Sequence, residues 1–232
     1  MTNAIILAGG FGTRLRDVVS DVPKPLAPIG GRPFLDLQLD WLLAANVKNI
    51  VITAHHMADQ IEAYAKIRNA QKDMQLTVVV EDEPLGTGGA VVNACRISKL
   101  IGDMLVMNGD TFYDFDLSAL LSVHKASSST VTMAVAPVKN CARYGTVCVE
   151  DGYVASFEQA AGRVAPGFVS CGIYVINQVA ISSAPQGAFS IETDFFVPLA
   201  KQGKIAAYVL ETENAFFDIG IPEVYAAFCE RY

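Results

Sequence analysis

Several telling residue types are scarce in this chain. Its 232 residues include one tryptophan, three histidines and five cysteines. The cysteines (Cys95, Cys141, Cys148, Cys171, Cys229) form an odd set with no C-x-x-C pair, which excludes a paired disulfide framework and a zinc knuckle. Reduced, mostly buried thiols are expected. The histidines His55, His56 and His124 lack metal-type spacing with other ligands, and no Ser-His-Asp arrangement supports nucleophilic catalysis. Basic residues are also few, 17 against 24 acidic ones, for a formal net charge of -7. No general basic field is available to hold a nucleic acid, so an anionic ligand must be met by local donors. No apolar run approaches the ~18 residues of a membrane span, and the apolar stretch 4–8 is too short for a signal-peptide core. A cytoplasmic protein without membrane or nucleic-acid partners is expected.

The composition, 52% hydrophobic and 18% charged without a low-complexity tract, suits one compact domain over 1–232. Residues 3–8 form a short run, apolar from Ala4 onward, that leads into glycines, as a central parallel strand would. Further strands are expected at 47–53, 76–80 and 103–107, alternating with helices at 33–45, 57–69 and 88–100. That alternation predicts βαβ units and a Rossmann-like first part. After a helix at 117–125 the pattern shifts to shorter strands at 130–135, 145–149, 153–157 and 168–176. A helix at 191–201, a strand at 205–210 and a closing helix at 222–232 complete the chain. The expected fold is α/β: a mixed, mostly parallel sheet flanked by helices, with a β-richer second half.

Two sequence features point to phosphate chemistry. Gly9, Gly10 and Gly12 follow the first strand, where missing side chains let backbone N–H groups approach phosphate oxygens, and Thr13 and Arg14 add side-chain donors. The spacing fits neither the P-loop nor the dinucleotide fingerprint, so a plain strand-to-helix turn is the alternative. In Val22-Pro23-Lys24-Pro25, two prolines restrict the backbone around one lysine and suit it to a fixed anionic target; taken alone, it could be an ordinary turn.

Together, L-A-G-G-x-G-T-R-L at 7–15, from Leu7 and Ala8 onward, and P-K-P at 23–25 resemble the N-terminal pattern of the sugar-1-phosphate nucleotidyltransferases. The resemblance implies that the loop wraps a nucleoside triphosphate, that Arg14 contacts its β/γ-phosphates, and that Lys24 contacts the reacting phosphates. The segment Glu83-Pro84-Leu85-Gly86-Thr87-Gly88-Gly89 matches the family's nucleobase cradle. On that alignment Glu81 falls where thymidine-using relatives carry glutamine; its carboxylate could accept both N1–H and N2–H of guanine. A solvated strand-end residue is the alternative. Asn108-Gly109-Asp110 ends a strand, and the resemblance assigns Asp110 to Mg²⁺, with Asp218 of Asp218-Ile219-Gly220-Ile221-Pro222 as second ligand. Two carboxylates completed by water and substrate phosphates suit that ion. Asp114 and Asp116 compete for the role, although Asp116 could instead cap a helix.

On the sugar side, the resemblance points to Asn108, to Arg143-Tyr144-Gly145, and to Gly172 in Cys171-Gly172-Ile173-Tyr174. One departure stands out. Relatives show F-x-E-K, with Glu on the sugar and Lys on its phosphate, whereas this chain reads Phe157-Glu158-Gln159-Ala160. Arg143 or Arg163 could supply the lost charge, or Glu158 could shift to serve the sugar. Across 7–222 the likeness points to guanylyltransferases of D-glycero-D-manno-heptose 1-phosphate, which make GDP-heptose for surface polysaccharides. It implies GTP and a sugar 1-phosphate as partners, with 1–115 holding the nucleotide and 116–232 the sugar phosphate. A mannose 1-phosphate guanylyltransferase, a uridylyltransferase and a non-catalytic nucleotide-sugar sensor are the rivals. A homodimer is left open.

Overall fold

The computed structural model describes residues 3–71, 73–142, 144–158 and 164–232. Arg143, Gln159, Ala160 and Arg163 lie outside the described residues. In chain order the elements begin with β1 (Asn3–Leu7), the short pair β2 (Pro28–Ile29) and β3 (Arg32–Pro33), α1 (Phe34–Ala44), β4 (Asn49–Ala54), α2 (Ala58–Asn69) and β5 (Gln75–Val80). Next come α3 (Gly86–Ile97), β6 (Met104–Asn108), β7 (Thr111–Tyr113), α4 (Leu117–Ala126), β8 (Val131–Val138), β9 (Thr146–Glu150) and β10 (Tyr153–Glu158). The chain closes with β11 (Gly167–Ile176), α5 (Gln178–Ser182), α6 (Val197–Ala200), β12 (Ile205–Val209), β13 (Phe216–Asp218) and α7 (Pro222–Arg231).

One nine-stranded sheet runs in the order β5-β4-β1-β6-β11-β8-β12-β10-β9. β5, β4, β1 and β6 pair in parallel, and their order is that of a Rossmann half. β8 and β12 are also parallel. The other neighbours are antiparallel and as numerous as the parallel ones along the row, because the second half returns through hairpins such as the β9–β10 turn. The expected mixed α/β sheet is therefore present, its parallel pairs chiefly in the first half. The apolar β1 sits between β4 and β6, and its first four residues are buried. Helices cover both faces: Leu35, Leu39 and Leu42 of α1, Ile61 of α2 and Leu120 of α4 pack on one, and Val91 and Ala94 of α3 on the other.

Register fixes where the chemistry goes. Leu7 pairs with Thr53 and with Asn108, so β1, β4 and β6 end on one level and release their loops at the same sheet edge. Ligands bind at this edge in open α/β sheets, where the strand order reverses. A short antiparallel pair, β7 with β13, sets Thr111 opposite Asp218. Three-residue strands of this kind carry too little periodicity to be read from sequence. The helix expected over 191–201 is a wide π-turn over Ile191–Phe196 followed by α6. Pro198 has no N–H with which to close the α-helical bond to Asp194, and the Ile191 N–H is held by Thr87 Oγ1 at 2.9 Å. Among the cysteines, Cys141 and Cys171 are buried and Cys148 is exposed. Among the described residues no helix is long and apolar enough to cross a membrane.

His124 on α4 is buried and lies 2.8 Å from Thr132 Oγ1 through Nδ1. Burial holds its imidazole below its ordinary pKa, against the pull of Asp103. The unfolded chain therefore takes up this proton first as pH drops below roughly 6.5. Stability from this group is complete above that value and is lost on acidification. His124→Gln should flatten the fall in urea midpoint between about pH 7.5 and 5; identical slopes for the two proteins would reject this account.

Candidate active site

A cavity of about 410 Å³ opens at the sheet edge where β1, β4 and β6 end. Leu7, Ala8, Gly9, Gly10 and Arg14 line it from the first loop. At Gly10 a Cβ would find no protein atom within 4 Å, so protein packing does not demand glycine there. Its bareness suits the approach of a ligand. Gly12 adopts φ +65°, and a Cβ on it would sit 3.2 Å from Lys24 Cγ. Gly12 and Thr13 thus shape the loop without lining the main cavity.

Lys24 enters from the other side, held by its two prolines at the start of a short 3-10 turn. Its Nζ lies 2.9 Å from Asp110 Oδ2. Asp110 follows β6, and Asp218 ends β13. A point beside Gly220, where a Cβ would be, lies 2.7 Å from Lys24 Nζ, 2.9 Å from Asp110 Oδ2 and 2.9 Å from Asp218 Oδ1. One ammonium and two carboxylates therefore meet at one spot on the cavity floor. Burial raises the Asp218 pKa, and the negative charge of Asp110 raises it further; the Gly220 N–H, Arg14 and Lys24 act the other way. Two half-buried carboxylates crowded together form a hard-oxygen donor set that a divalent cation completed by water and phosphate would relieve. Among the described residues no group of three or more His, Cys, Asp or Glu forms a metal site. Both competing aspartates are engaged elsewhere: Asp114 Oδ2 accepts from Arg231 at 3.2 Å, and Asp116 caps α4 through the Ser118 N–H at 2.9 Å.

The opposite wall is built by β5 and α3. Glu81, Pro84, Gly86 and Thr87 line it. Glu81 is buried, not solvated, and its Oε2 accepts the Leu85 N–H at 3.0 Å. Burial raises its pKa, while the Leu85 N–H and His55 oppose the shift. Leu85 and Gly88 do not line the cavity. Gly88 and Gly89 pack instead against the segment 187–189, where a Cβ on Gly88 would lie 2.0 Å from the Phe189 ring.

On the sugar side, Asn108 lines the cavity. Gly172, at φ +70°, lies against it, since a Cβ there would be 2.2 Å from Asn108 Nδ2. The Tyr113 hydroxyl donates to Gly172 O at 2.9 Å and holds that approach. Tyr144 packs on Phe216, Gly145 sits over Phe157, and Glu158 is exposed at the end of β10. None of these three lines the cavity.

Sequence reasoning missed several residues. Phe11, half exposed, lines the cavity and leans edge-on against His55, whose Nδ1 lies 2.8 Å from Glu81 O. Thr53 forms part of the floor. Gln38, buried in α1, bonds the turn that carries Asp110. Its signal was a lone amide on the apolar face of that helix.

These features define an α/β protein built to grip a polyanion beside paired carboxylates, and the chain belongs to the nucleotidyl transferase family, whose model matches residues 3–231. It is 34% identical over 223 residues to D-glycero-alpha-D-manno-heptose 1-phosphate guanylyltransferase of Aneurinibacillus thermoaerophilus, across 96% of this chain and 94% of that protein. To the enzyme of the same name from Campylobacter jejuni it is 36% identical over 227 residues, 97% of each. HddC from Yersinia pseudotuberculosis, solved in complex with GMP-PN, superposes with a TM-score of 0.83 at 34% identity, over 100% of this chain and 99% of that one.

Gly86 is the residue of the α3 wall least open to change. It adopts φ +68°, and a Cβ would lie 2.5 Å from Phe189 O. Gly86→Ala should cost about 3 kcal/mol of stability through left-handed strain and a backbone clash. Urea unfolding measures this, and a loss under about 1 kcal/mol would contradict the stated packing.

Proposed function

We propose that this protein transfers a guanylyl group from GTP to D-glycero-D-manno-heptose 1-phosphate, giving GDP-heptose and pyrophosphate. The meeting of Lys24, Asp110 and Asp218 beside Gly220 carries the reading. The likeness to heptose 1-phosphate guanylyltransferases supports the choice of substrates. In the reaction a phosphate oxygen of the sugar 1-phosphate attacks the α-phosphorus of GTP. The bond from that phosphorus to the oxygen bridging to the β-phosphate breaks, and its electron pair leaves with pyrophosphate. The attacking group is already anionic, so no protein nucleophile is needed. The protein's task is alignment and charge stabilisation.

In this reading the loop of Gly9 and Gly10 wraps the triphosphate, Arg14 meets the phosphates that depart, and Lys24 meets those that react. Asp110 and Asp218 would hold Mg²⁺, and the ion would supply positive charge against the reacting phosphates. Glu81 reads the base: one carboxylate can accept both N1–H and N2–H of guanine, a pair of donors that uracil and thymine lack. Its burial strengthens the discrimination, because with a base that offers it no donor this carboxylate would keep the Leu85 N–H but gain nothing for its other oxygen. The sugar phosphate lies on the Asn108 and Gly172 side, and residues 1–115 and 116–232 serve the two substrates within one domain.

Pyrophosphate release over a matrix of GTP, ATP, UTP and dTTP against heptose and hexose 1-phosphates tests the assignment. GTP with the heptose phosphate should lead. Glu81→Gln should lower kcat/KM for GTP by roughly tenfold to a hundredfold while sparing UTP. Equal or better turnover with UTP or dTTP would sink the guanine reading. Asp110→Asn should fold normally and lose at least about a hundredfold in kcat; near-normal turnover would remove Asp110 from the mechanism.

A further inference from the structure

Gln38 occupies a position where an amide is expensive. It lies on α1 at 1% exposure, on the face that buries Phe34, Leu35, Leu39 and Leu42. Its Nε2 donates to Asn108 O at 2.8 Å and to Thr111 O at 2.7 Å. Both of its donors are thus spent on carbonyls that bracket Gly109 and Asp110. Its Oε1 is buried and has no hydrogen-bond partner among the described residues. Reversing the amide would place that oxygen against two carbonyl oxygens, so the orphan acceptor is inherent in the bridge. A leucine here would remove the orphan but leave two main-chain carbonyls without their donor. A stability argument alone therefore does not account for this choice of residue.

The rest of the turn is pinned from other directions. Gly109 N donates to Leu7 O at 2.9 Å, and Ile219 N donates to Asp110 O at 2.9 Å. A Cβ on Gly109 would lie 2.7 Å from Leu7 O, so the turn is pressed onto the end of β1. Gln38 supplies the hold from the α1 side, and it is the side chain that spans both ends of the four-residue turn. From this we infer that Gln38 is a positioning residue: by bridging Asn108 O and Thr111 O it fixes the Asp110 carboxylate against Lys24 and Asp218. The inference rests on the reading of Asp110 as a group that holds the divalent cation. Misplacement of such a group by about 1 Å costs on the order of a hundredfold in rate.

The test compares Gln38→Met, which keeps the length and loses both donors, with Gln38→His, which can keep one. Turnover is followed by pyrophosphate release. Mn²⁺ affinity is read separately, from the electron paramagnetic resonance of free Mn²⁺ in the presence of a non-hydrolysable GTP analogue. Gln38→Met should lower kcat roughly tenfold to a hundredfold and weaken Mn²⁺ by about tenfold, with KM for GTP within about threefold of the unsubstituted protein. Gln38→His should fall between the two, and it decides the matter if the methionine variant does not fold. Unchanged kcat and Mn²⁺ affinity in a folded variant would overturn the inference. So would a parallel loss of GTP binding, which marks general collapse of the cavity. Failure of the wider reading shows elsewhere, as absent turnover by the unsubstituted protein across the whole matrix. Mn²⁺ affinity then still decides for or against Gln38.

Discussion

Two carboxylates that belong to chain segments more than a hundred residues apart are forced together beside Gly220, and much of the local architecture serves that contact. The β7–β13 pair sets Thr111 opposite Asp218, and the Ile219 N–H closes onto Asp110 O. Gly220 contributes by lacking a side chain where three charged groups converge. Beneath them a separate apolar cluster, including Leu15, Ile29, Phe34, Ile219 and Phe228, joins the phosphate loop, α1 and α7 into one support. Crowding two half-buried negative charges opposes folding, and it is tolerated because Lys24 contacts Asp110 and the Gly220 N–H bonds Asp218. Such a loss of stability is the mark of a functional site, and it fits the proposed binding of a cation and a polyanion there.

The glycines of the two motif loops have different physical reasons. In the first loop, Gly10 meets no protein neighbour, and Gly9 meets only ordinary contacts from His55 and Glu81. Their open faces line the cavity. In the second loop, Gly86, Gly88 and Gly89 are required by the protein itself, because the segment 187–189 lies against them. The N-terminus of α3 is thereby strapped to the end of the β-rich half, through the Gly88 N–H to Phe189 O and the Phe189 N–H to Leu85 O, both at 3.0 Å. Pro84, Gly86 and Thr87 can then form a fixed wall of the cavity, where the proposed function seats the nucleobase. Read as sequence, the two loops look alike; only packing separates their roles.

The parts of the fold that were legible are those whose signal is local. β1 is apolar after Asn3 because both its faces are covered, and its run into glycines marks the sheet edge at which the cavity opens. Apart from β7, the strands from β4 to β12 fall within a few residues of their expected places. Glu81, Asp110 and Asp218 are assigned through the resemblance, with Asp114 and Asp116 as competitors to be chosen against. That choice turns on partners invisible in sequence: Arg231 for Asp114 and the Ser118 amide for Asp116. Gln38, Thr53 and His55 were missed for a related reason. Each acts through a backbone atom or a cavity floor that only tertiary packing brings to it, and a single polar residue inside an apolar stretch carries no spacing to read.

The Asn108 to Thr111 turn also explains how a single site can serve two substrates. Its Asp110 end faces Lys24 and Asp218, the groups proposed to manage the phosphates. Its Asn108 end faces Gly172, which the Tyr113 hydroxyl holds in a left-handed conformation. Tyr113 itself lies in β7, directly after the turn, and is buried. Movement of the turn therefore changes the cation site and the Gly172 contact together. A sugar phosphate resting on Asn108, as proposed, would meet the same backbone that carries Asp110, so the placing of the attacking oxygen and the placing of the charged groups opposite it depend on one four-residue turn.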